Sequence, residues 1–421
     1  MVSGAPDSRI VTLDVIRGVA VMGIFSVNVV GMAMIEQAYF YPPAFGFESA
    51  WDRVMWVVNF VLIDGKMRSL FSILFGASML LVMERAQAAG QSPARAHIAR
   101  MAALLMLGLV HFFAIWWGDI LTLYALTGML ACLFWQLPAR ALLLLSAVLF
   151  LYTAVPAWAR MQSSFAAYEQ AASPGASGEA VSDWEARASA YRVTRRKIAA
   201  DKAMHASPLA YTRATLETRA WEPIESFGHL WAETLALMLL GMAGFRSGFL
   251  TGSWNDRTYR WIAASGLAVG GVGFAVLGVW VLASDFHLPN VIAADFALSL
   301  PLRPVMAIGY AALIIMLFRR RSGFRERVAA VGRAAFTNYL GASIIGVAVF
   351  FDTGLGLYAD VSRAEAWLLV PVVWAAMLAW SKPWLDCFQY GPLEWLWRSL
   401  ARLEMQPMRK RSEASAAAVE A

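Results

Sequence analysis

Positive charge alternates along this chain, from one polar segment between its apolar stretches to the next. Ten long apolar stretches can be marked, and the short polar segments that join them are arginine-rich and arginine-poor in turn. The basic segments lie at residues 85–100, 140, 246–260, 319–333 and 382–411. Arg53 and Arg363 are the only basic residues of the opposite short segments. Because basic loops stay on the cytoplasmic side, this alternation predicts about ten membrane spans with both termini in the cytoplasm.

The composition agrees with a membrane protein. A hydrophobic fraction of 59% with only 15% charged residues lies outside the range of soluble domains. The net charge of +6 follows the predicted cytoplasmic loops, where it orients the chain and contacts lipid headgroups, so we expect the lipid bilayer and no nucleic acid as a partner. Cys132 and Cys387 are far apart and form no metal or disulfide pattern. The predicted fold class is all-α, a polytopic transmembrane helix bundle with an external, partly helical insert.

The order of the apolar stretches suggests two membrane units. Each crossing needs about 20 apolar residues, and we place spans at 13–34, 51–83, 98–117, 120–135, 141–158, 226–246, 258–283, 298–318, 334–351 and 366–380. The predicted units are an N-terminal five-span unit, an extracytoplasmic insert, a C-terminal five-span unit and a disordered cytoplasmic tail, at residues 1–158, 159–225, 226–400 and 401–421. The seventh span is glycine-rich, which favours close helix packing in lipid.

The insert is the one sizeable hydrophilic region. After a flexible joint at 173–178, Trp184, Ala188, Tyr191 and Ile198 recur at helical spacing. This pattern predicts one or two amphipathic helices on the outer surface, acting either as a lid over a cavity mouth or as a structural connector.

Ionisable residues inside membrane spans are costly, so each is a candidate functional residue. Asp14 and Arg17 are three residues apart in the first span, so they share a helix face. They form either an interfacial ion pair or a site where Arg17 binds a phosphate or carboxylate. Asp64, Lys66 and Arg68 interrupt the second span around Gly65. This interruption is either a broken helix that lines a cavity or an elbow at the outer surface.

His111 and Asp119 end one predicted span and begin the next, so a hairpin places them at a similar depth. A histidine beside a carboxylate is the minimal arrangement for a general base held in one tautomer. The alternative is a buried histidine that bonds to a backbone carbonyl of a neighbouring helix.

Further polar groups occur in the ninth span and the first. Arg333, Asn338, Tyr339 and Ser343 either line a shared interior or form interhelical hydrogen bonds. Asn28 lies about 16 Å beyond Arg17 by helical rise, near the level of His111. The sequence contains no zinc-ligand spacing, P-loop or G-x-S-x-G motif, so we predict no metal site.

Taken in order, these blocks resemble the YeiB family of bacterial inner-membrane proteins. The matching blocks lie at 9–28, 65–76, 108–128, 332–340 and 391–398. They cover nearly the whole chain outside the insert, and the C-terminal half matches that family's domain of unknown function. Within the ninth span Ala342 stands where the resemblance leads us to expect a glutamine.

The opening block is also similar to those of two membrane acyltransferase groups, the heparan-glucosaminide N-acetyltransferases and the acyltransferase-3 proteins. In the latter, an arginine that Arg17 matches is followed on the same helix by an essential histidine. Asn28 stands at the corresponding position here and cannot act as a base. The resemblance therefore implies that a base comes from elsewhere, and His111 is the candidate.

The sequence thus predicts a membrane-embedded acyltransferase of the bacterial inner membrane. It would move an acyl group from cytoplasmic acyl-CoA to a hydroxyl or amine of a small-molecule or glycan acceptor reached from the periplasm. We assign catalysis to His111, Asp119 and Asn28, CoA binding to Arg17, Lys66, Arg68 and Arg333, and substrate binding to Asp14, Asp64, Asn338 and Tyr339. A homodimer is compatible with this prediction. The alternatives are a secondary transporter of a small solute and a non-catalytic membrane scaffold.

Overall fold

The structure is a computed structural model that describes residues 10–410, and within this range the regular secondary structure is helical. The α-helices are α1 (Val11–Ala33), α2 (Glu36–Phe40), α3 (Ala50–Val58), α4 (Lys66–Ala88), α5 (Pro93–Ala114), α6 (Leu121–Ala131), α7 (Ala139–Ala172), α8 (Gly178–Ser189), α9 (Arg195–Met204), α10 (Pro208–Thr218), α11 (Glu222–Arg246), α12 (Asp256–Ala283), α13 (Leu288–Ile292), α14 (Leu302–Leu317), α15 (Gly323–Arg333), α16 (Ala335–Phe350), α17 (Arg363–Trp367), α18 (Leu369–Cys387) and α19 (Pro392–Arg402). The all-α prediction is confirmed.

A helix lies at each of the predicted spans, and together they make a multi-pass membrane bundle. Six helical stretches of the described chain are long and apolar enough to cross a bilayer, and the number is eight if each of two bent pairs is one span. Two of the predicted spans correspond to shorter or more polar helices, α6 and α11. The count of ten therefore stays a prediction.

The first helix lies at the centre of the bundle. α1 packs against α4, α15, α16 and α18. Close backbone approach makes this possible: a Cβ at Gly332 would lie 1.8 Å from the carbonyl oxygen of Asp14. The same device joins α4 to α11, where a Cβ at Gly241 would lie 1.8 Å from the carbonyl oxygen of Ile73. Small residues thus set the spacing of the central helices, as expected in lipid.

The glycines of the predicted seventh span serve packing. A Cβ at Gly266 would lie 2.8 Å from Gly309 Cα, and one at Gly270 would lie 2.6 Å from Met306 Cβ. Both contacts join α12 to α14. Gly271, by contrast, has no neighbouring atom within 4 Å of that position.

The predicted interruption of the second span is present at Gly65. Ala50–Ala88 forms a 39-residue helical stretch, about 58 Å long and nearly twice the hydrocarbon thickness. It widens into a π-helical turn at Asn59–Ile63 and then breaks at Gly65, whose φ of +71° suits glycine. α4 alone is long enough to cross the bilayer, so α3 extends beyond it.

The insert is helical. α7 continues past the predicted span to Ala172, and α8, α9 and α10 follow the break predicted at 173–178. Residues 403–410, which were predicted to belong to the tail, fold back on α19, with the backbone carbonyl of Gln406 accepting a hydrogen bond from Trp395 at 2.6 Å. The rest of the predicted tail, 411–421, lies outside the described residues.

Candidate functional site

A tight hairpin between α5 and α6 brings His111 and Asp119 together, as predicted. Gly108 makes the hairpin possible, because a Cβ there would lie 2.6 Å from the amide nitrogen of Thr122. His111 Nδ1 lies 2.9 Å from Asp119 Oδ1, and the two side chains are 0% and 1% exposed. The pair is therefore sealed from solvent in this conformation.

Asp119 is held as an acceptor at the start of α6. Its Oδ1 accepts from the amide of Leu121 at 3.1 Å, and its Oδ2 accepts from the amide of Thr122 at 2.8 Å. A helix N-terminus stabilises a carboxylate in this position. An ionised carboxylate only accepts, so His111 Nδ1 carries the proton and Nε2 presents its lone pair.

That lone pair faces a hydroxyl that the sequence did not identify as a partner. Ser343 Oγ lies 3.0 Å from His111 Nε2, and Ser343 is 1% exposed. Its other contact, to the carbonyl of Tyr339 at 3.4 Å, is long for a hydroxyl donor. The Ser343 hydroxyl therefore donates preferentially to His111. Serine, histidine and aspartate thus form a chain with the geometry of a base-activated nucleophile.

The two other polar residues of the ninth span differ in their surroundings. The Tyr339 hydroxyl donates to the carbonyl of Gly118 at 3.1 Å, and its ring lies 5.2 Å from the His111 ring. Asn338 faces elsewhere: its Nδ2 donates to the carbonyl of Val331 and its Oδ1 accepts from Trp380. Tyr339 therefore borders the histidine, whereas Asn338 ties helices together.

Asn28 lies at the level of this cluster. α1 and α16 run in the same direction, because Arg17 contacts the carbonyl of Gly332 just before α16 begins and Met32 packs on Gly346 near its other end. Asn28 precedes Met32 by four residues and Ser343 precedes Gly346 by three, so Asn28 lies near the level of Ser343. The Asn28 side chain is half-buried, and it makes no hydrogen bond to any residue between 10 and 410.

The charges around the break at Gly65 form a second, separate group. Glu233 of α11 accepts from Arg68 at 2.8 Å and from Arg303 at 3.4 Å, and its side chain is 6% exposed. A buried carboxylate between two guanidinium groups compensates charges that would otherwise be costly. This clamp joins α4, α11 and α14.

Two broken helices meet beside the clamp. The π-helical turn Ala293–Leu298 precedes a 57° bend into α14, and it faces the break at Gly65. Arg303 donates to the carbonyl of Asp295, and Lys66 donates to the carbonyl of Phe60, so cations satisfy the interrupted backbone. Asp64 and Asp295 line a cavity of about 110 Å³ between the breaks. Lys66 is fully buried while Asp64 is exposed, so the interruption borders both a cavity and the surface.

Arg17 joins three helices near the N-terminal end of α1. It donates to Asp14 at 3.1 Å, to Ser78 at 2.6 Å and to the carbonyl of Gly332 at 3.3 Å. The predicted pairing of Arg17 with Asp14 is therefore present. Arg333 follows Gly332 at the end of α15, before a 79° bend into α16.

The insert covers one end of the helices that carry the cluster. On α10, the Thr215 hydroxyl lies 3.1 Å from the carbonyl oxygen of Phe113 near the end of α5. Beyond α9, the ring of His205 stacks on Tyr358 at 3.6 Å and meets Phe351 at 4.9 Å, just after α16. α9 and α10 therefore span from the helix of His111 to the helix of Ser343.

His205 follows α9 in the part of the insert that covers these helix ends, and it is buried there. Burial lowers the pKa of His205 to about 4. Its Nδ1 donates to the carbonyl of Asp201 at 2.7 Å, as expected for a neutral ring. The interface between the insert and the membrane helices thus includes an imidazole whose neutral form is favoured by burial.

Sequence reasoning missed Glu233 and Arg303, although both stand inside predicted spans, where a charge is itself a signal. It noted Ser343 only as a polar position, and the spacing of four from Tyr339 was the available sign of a shared face. His97 precedes the predicted span at 98–117, but α5 begins at Pro93 and buries it, with Nε2 donating to the carbonyl of Gly128 at 2.9 Å.

Similarity to known proteins is found along the whole chain. The family described as "Protein of unknown function (DUF418)" matches residues 244–404, which include Ser343. The protein YxaH of Bacillus subtilis (strain 168) is 31% identical, over 97% of this chain and 98% of its own length. YeiB of Escherichia coli (strain K12) is 29% identical, over 93% of this chain and 96% of its own length. Both relatives are named as uncharacterized proteins, and no solved structure matches the chain.

The fold and its buried charges define a multi-pass, all-helical membrane protein. The matches to YxaH and YeiB extend over nearly the whole length of the chain and identify the family within this class. The chain belongs to the YeiB family of DUF418 proteins.

Proposed function

We propose that this protein is a membrane-embedded acyltransferase of the bacterial inner membrane, with acyl-CoA as the donor and a hydroxyl or amine as the acceptor group. One observation carries the proposal. His111 is buried between the carboxylate of Asp119, which accepts from the first amides of α6, and the hydroxyl of Ser343. A scaffold needs no histidine fixed in one tautomer with its second nitrogen presented to a hydroxyl. Acyl transfer does need one, because a base must remove a proton as the carbonyl is attacked.

Each group of the cluster has a role in this proposal. His111 Nε2 accepts the proton, and Asp119 stabilises the imidazolium that forms. The tetrahedral intermediate places negative charge on the former carbonyl oxygen. Asn28 supplies the amide donor for that charge, since its side chain is level with Ser343 and has no other partner among residues 10–410.

A cavity at the other end of α1 suits the donor. It measures about 250 Å³ and is lined by Thr12, Thr251, Arg319 and Arg325, among others. Sites that enclose a whole small molecule measure about 300–1,000 Å³, so this cavity would hold only part of CoA, with the arginines beside its phosphates. This assignment moves the phosphate contacts from Arg17, which does not line the cavity, to Arg319 and Arg325, which do.

The membrane orientation follows the arginine-rich segments. Arg319 and Arg325 belong to one of them, so this cavity opens to the cytoplasm, where acyl-CoA is found. The insert then lies outside, and the acceptor reaches His111 from beneath α9 and α10. Both termini are cytoplasmic in this orientation.

Thermal unfolding of the detergent-purified protein tests the donor assignment without knowledge of the acceptor. Acetyl-CoA, a long-chain acyl-CoA and free CoA are each titrated, and binding to the folded state raises the melting temperature saturably. We expect stabilisation in the wild type and in the control Arg320→Gln/Arg321→Gln, whose arginines are exposed and do not line the cavity. Arg319→Gln/Arg325→Gln should weaken binding at least tenfold. No stabilisation by any CoA species at millimolar concentration would contradict the assignment.

A transporter is the second candidate, and the paired helix breaks favour it. Interrupted helices that meet at a charged cavity, as at Asp64 and Asp295, are common in carriers. However, the span that an inverted repeat would match to the broken second one is α12, which is continuous. Flux of a solute into proteoliposomes that is lost in Asp295→Asn and unaffected by His111→Gln would favour the carrier.

A further inference from the structure

We propose that Ser343 is the residue that carries the acyl group, so that transfer proceeds through a covalent acyl-serine intermediate. The inference rests on the proposed function and specifies its chemistry. A base can act on an acceptor directly, in which case no nucleophile of the protein is needed. The contacts of His111 favour a nucleophile that belongs to the protein.

The hydrogen-bond chain is already complete without a substrate. Ser343 Oγ lies 3.0 Å from His111 Nε2, and on the other side of the ring His111 Nδ1 lies 2.9 Å from Asp119 Oδ1. The base therefore points at a hydroxyl of the protein, 232 residues away in the sequence, and not at an empty acceptor site. A serine hydroxyl is a weak nucleophile until such a base removes its proton.

The hydrogen-bond acceptor of Ser343 differs from the acceptors of two other buried serines, whose hydroxyls donate to backbone carbonyls. Ser146 is equally buried, but its hydroxyl donates to the carbonyl of Ala236 at 2.7 Å, which is a structural contact. Ser26 donates in the same way to the carbonyl of Gly23. Among these three buried serines, Ser343 has a base as its better acceptor.

The proposed sequence has two balanced steps. In the first, His111 takes the proton of Ser343, Oγ attacks the thioester carbonyl, the C–S bond breaks, and the proton passes to the CoA thiolate. In the second, His111 takes a proton from the acceptor hydroxyl or amine, which attacks the acyl-serine carbonyl, the bond between that carbon and Ser343 Oγ breaks, and the proton returns to Oγ. Asn28 donates to the oxyanion in both steps.

The two steps also fit a site between two compartments. CoA can leave toward the cytoplasm before the acceptor enters from the outer side, so the two substrates need never occupy the sealed cluster together. Ping-pong kinetics is the expected consequence.

Trapping the intermediate tests the inference. The full-length protein in detergent is incubated with acetyl-CoA and no acceptor, quenched in acid and analysed by peptide mass spectrometry. We expect an acetyl group on Ser343 in the wild type and in the control Ser146→Ala. Labelling should be absent in Ser343→Ala and reduced at least about 100-fold in rate in His111→Gln. Ser343→Cys provides a second variant, which should form a thioester that neutral hydroxylamine removes.

The outcomes separate the inference from the function on which it rests. Acetyl transfer that persists in folded Ser343→Ala, or label found on His111 and not on Ser343, would overturn the acyl-serine while leaving the acyltransferase intact. Absence of label together with absence of stabilisation by acetyl-CoA would overturn both.

Discussion

His111 Nε2 and Ser343 Oγ lie 3.0 Å apart, although 232 residues separate them in the sequence. α5 and α16 bring them together beneath the insert. Asp119 completes the arrangement from the other side of the imidazole ring at 2.9 Å. The proposed chemistry depends on this relationship, and the surrounding charges and glycines hold it in place.

Removing the carboxylate of Glu233 should destabilise the protein strongly. Glu233→Gln removes the carboxylate that compensates the partly buried guanidinium groups of Arg68 and Arg303, and breaking such a pair costs up to about 3–5 kcal/mol. Thermal unfolding in detergent measures the effect. Glu225→Gln is the matched control on the same helix, because Glu225 is exposed and should change stability by less than about 0.5 kcal/mol. Equal melting temperatures for the two variants would contradict the clamp.

Two glycines on one helix should respond oppositely to alanine. A Cβ at Gly266 would lie 2.8 Å from Gly309, so Gly266→Ala forces α12 and α14 apart and costs about 1–3 kcal/mol. Gly271 has open space at that position, so Gly271→Ala should be neutral or stabilising by up to about 1 kcal/mol through helix propensity. The melting temperatures of both variants measure these effects. A loss of stability in Gly271→Ala would be inconsistent with this packing.

Asp119→Asn should slow the reaction without unfolding the protein. The amide can still accept from the start of α6, but it can also donate to His111 Nδ1, which favours the tautomer with its proton on Nε2. That tautomer cannot accept from Ser343. We expect the rate of acyl transfer to fall at least about 100-fold, with CoA stabilisation retained. A rate close to that of the wild type would show that Asp119 does not set the tautomer.

The stability of the insert should fall in mild acid through His205. Its pKa is about 4 in the folded protein and about 6.5 when unfolded, so the unfolded state binds more protons between these values. The stability from the neutral ring is complete above pH 6.5 and is lost as the pH falls toward 4. Between pH 7.5 and pH 5 the loss is about 2 kcal/mol.

Limited proteolysis of residues 195–218 at the two pH values measures this effect. His205→Phe keeps an aromatic ring against Tyr358 without a titrating group, so its cleavage rate should change less with pH than that of the wild type. Asp201 and Asp352 also lie near His205 and contribute a background that both proteins share. Identical pH dependence in the two would exclude His205 as its origin.

Much of the fold could be predicted because lipid imposes simple rules. The apolar stretches and arginine-rich loops locate the helices, and Gly65 marks the break in the second span since it separates charges within an apolar run. The helical insert followed from the spacing of Trp184 and Ala188. Its attachment did not, because the contact of His205 with Tyr358 joins segments whose approach depends on the packing of all the spans between them.

The candidate site was predictable in part for the same reason. His111 and Asp119 lie in one hairpin, so their proximity is a local property. The partners Ser343 and Glu233 come from distant helices, and single-sequence patterns give no pairing between helices. His97 shows the reverse case: it is the buried histidine bonded to a backbone carbonyl that was considered as the alternative for His111.

The most direct test of the account compares these two buried histidines of α5. Membrane vesicles from the host bacterium, containing the full-length protein, are given radiolabelled acetyl-CoA or palmitoyl-CoA, and transfer to endogenous acceptors is followed with CoA release. His97→Gln retains a side chain that can donate to Gly128 and should transfer at the wild-type rate. His111→Gln should be slower by at least about 100-fold while still being stabilised by CoA. Equal rates in wild type and His111→Gln would contradict the central claim that His111 is the base of an acyl transfer.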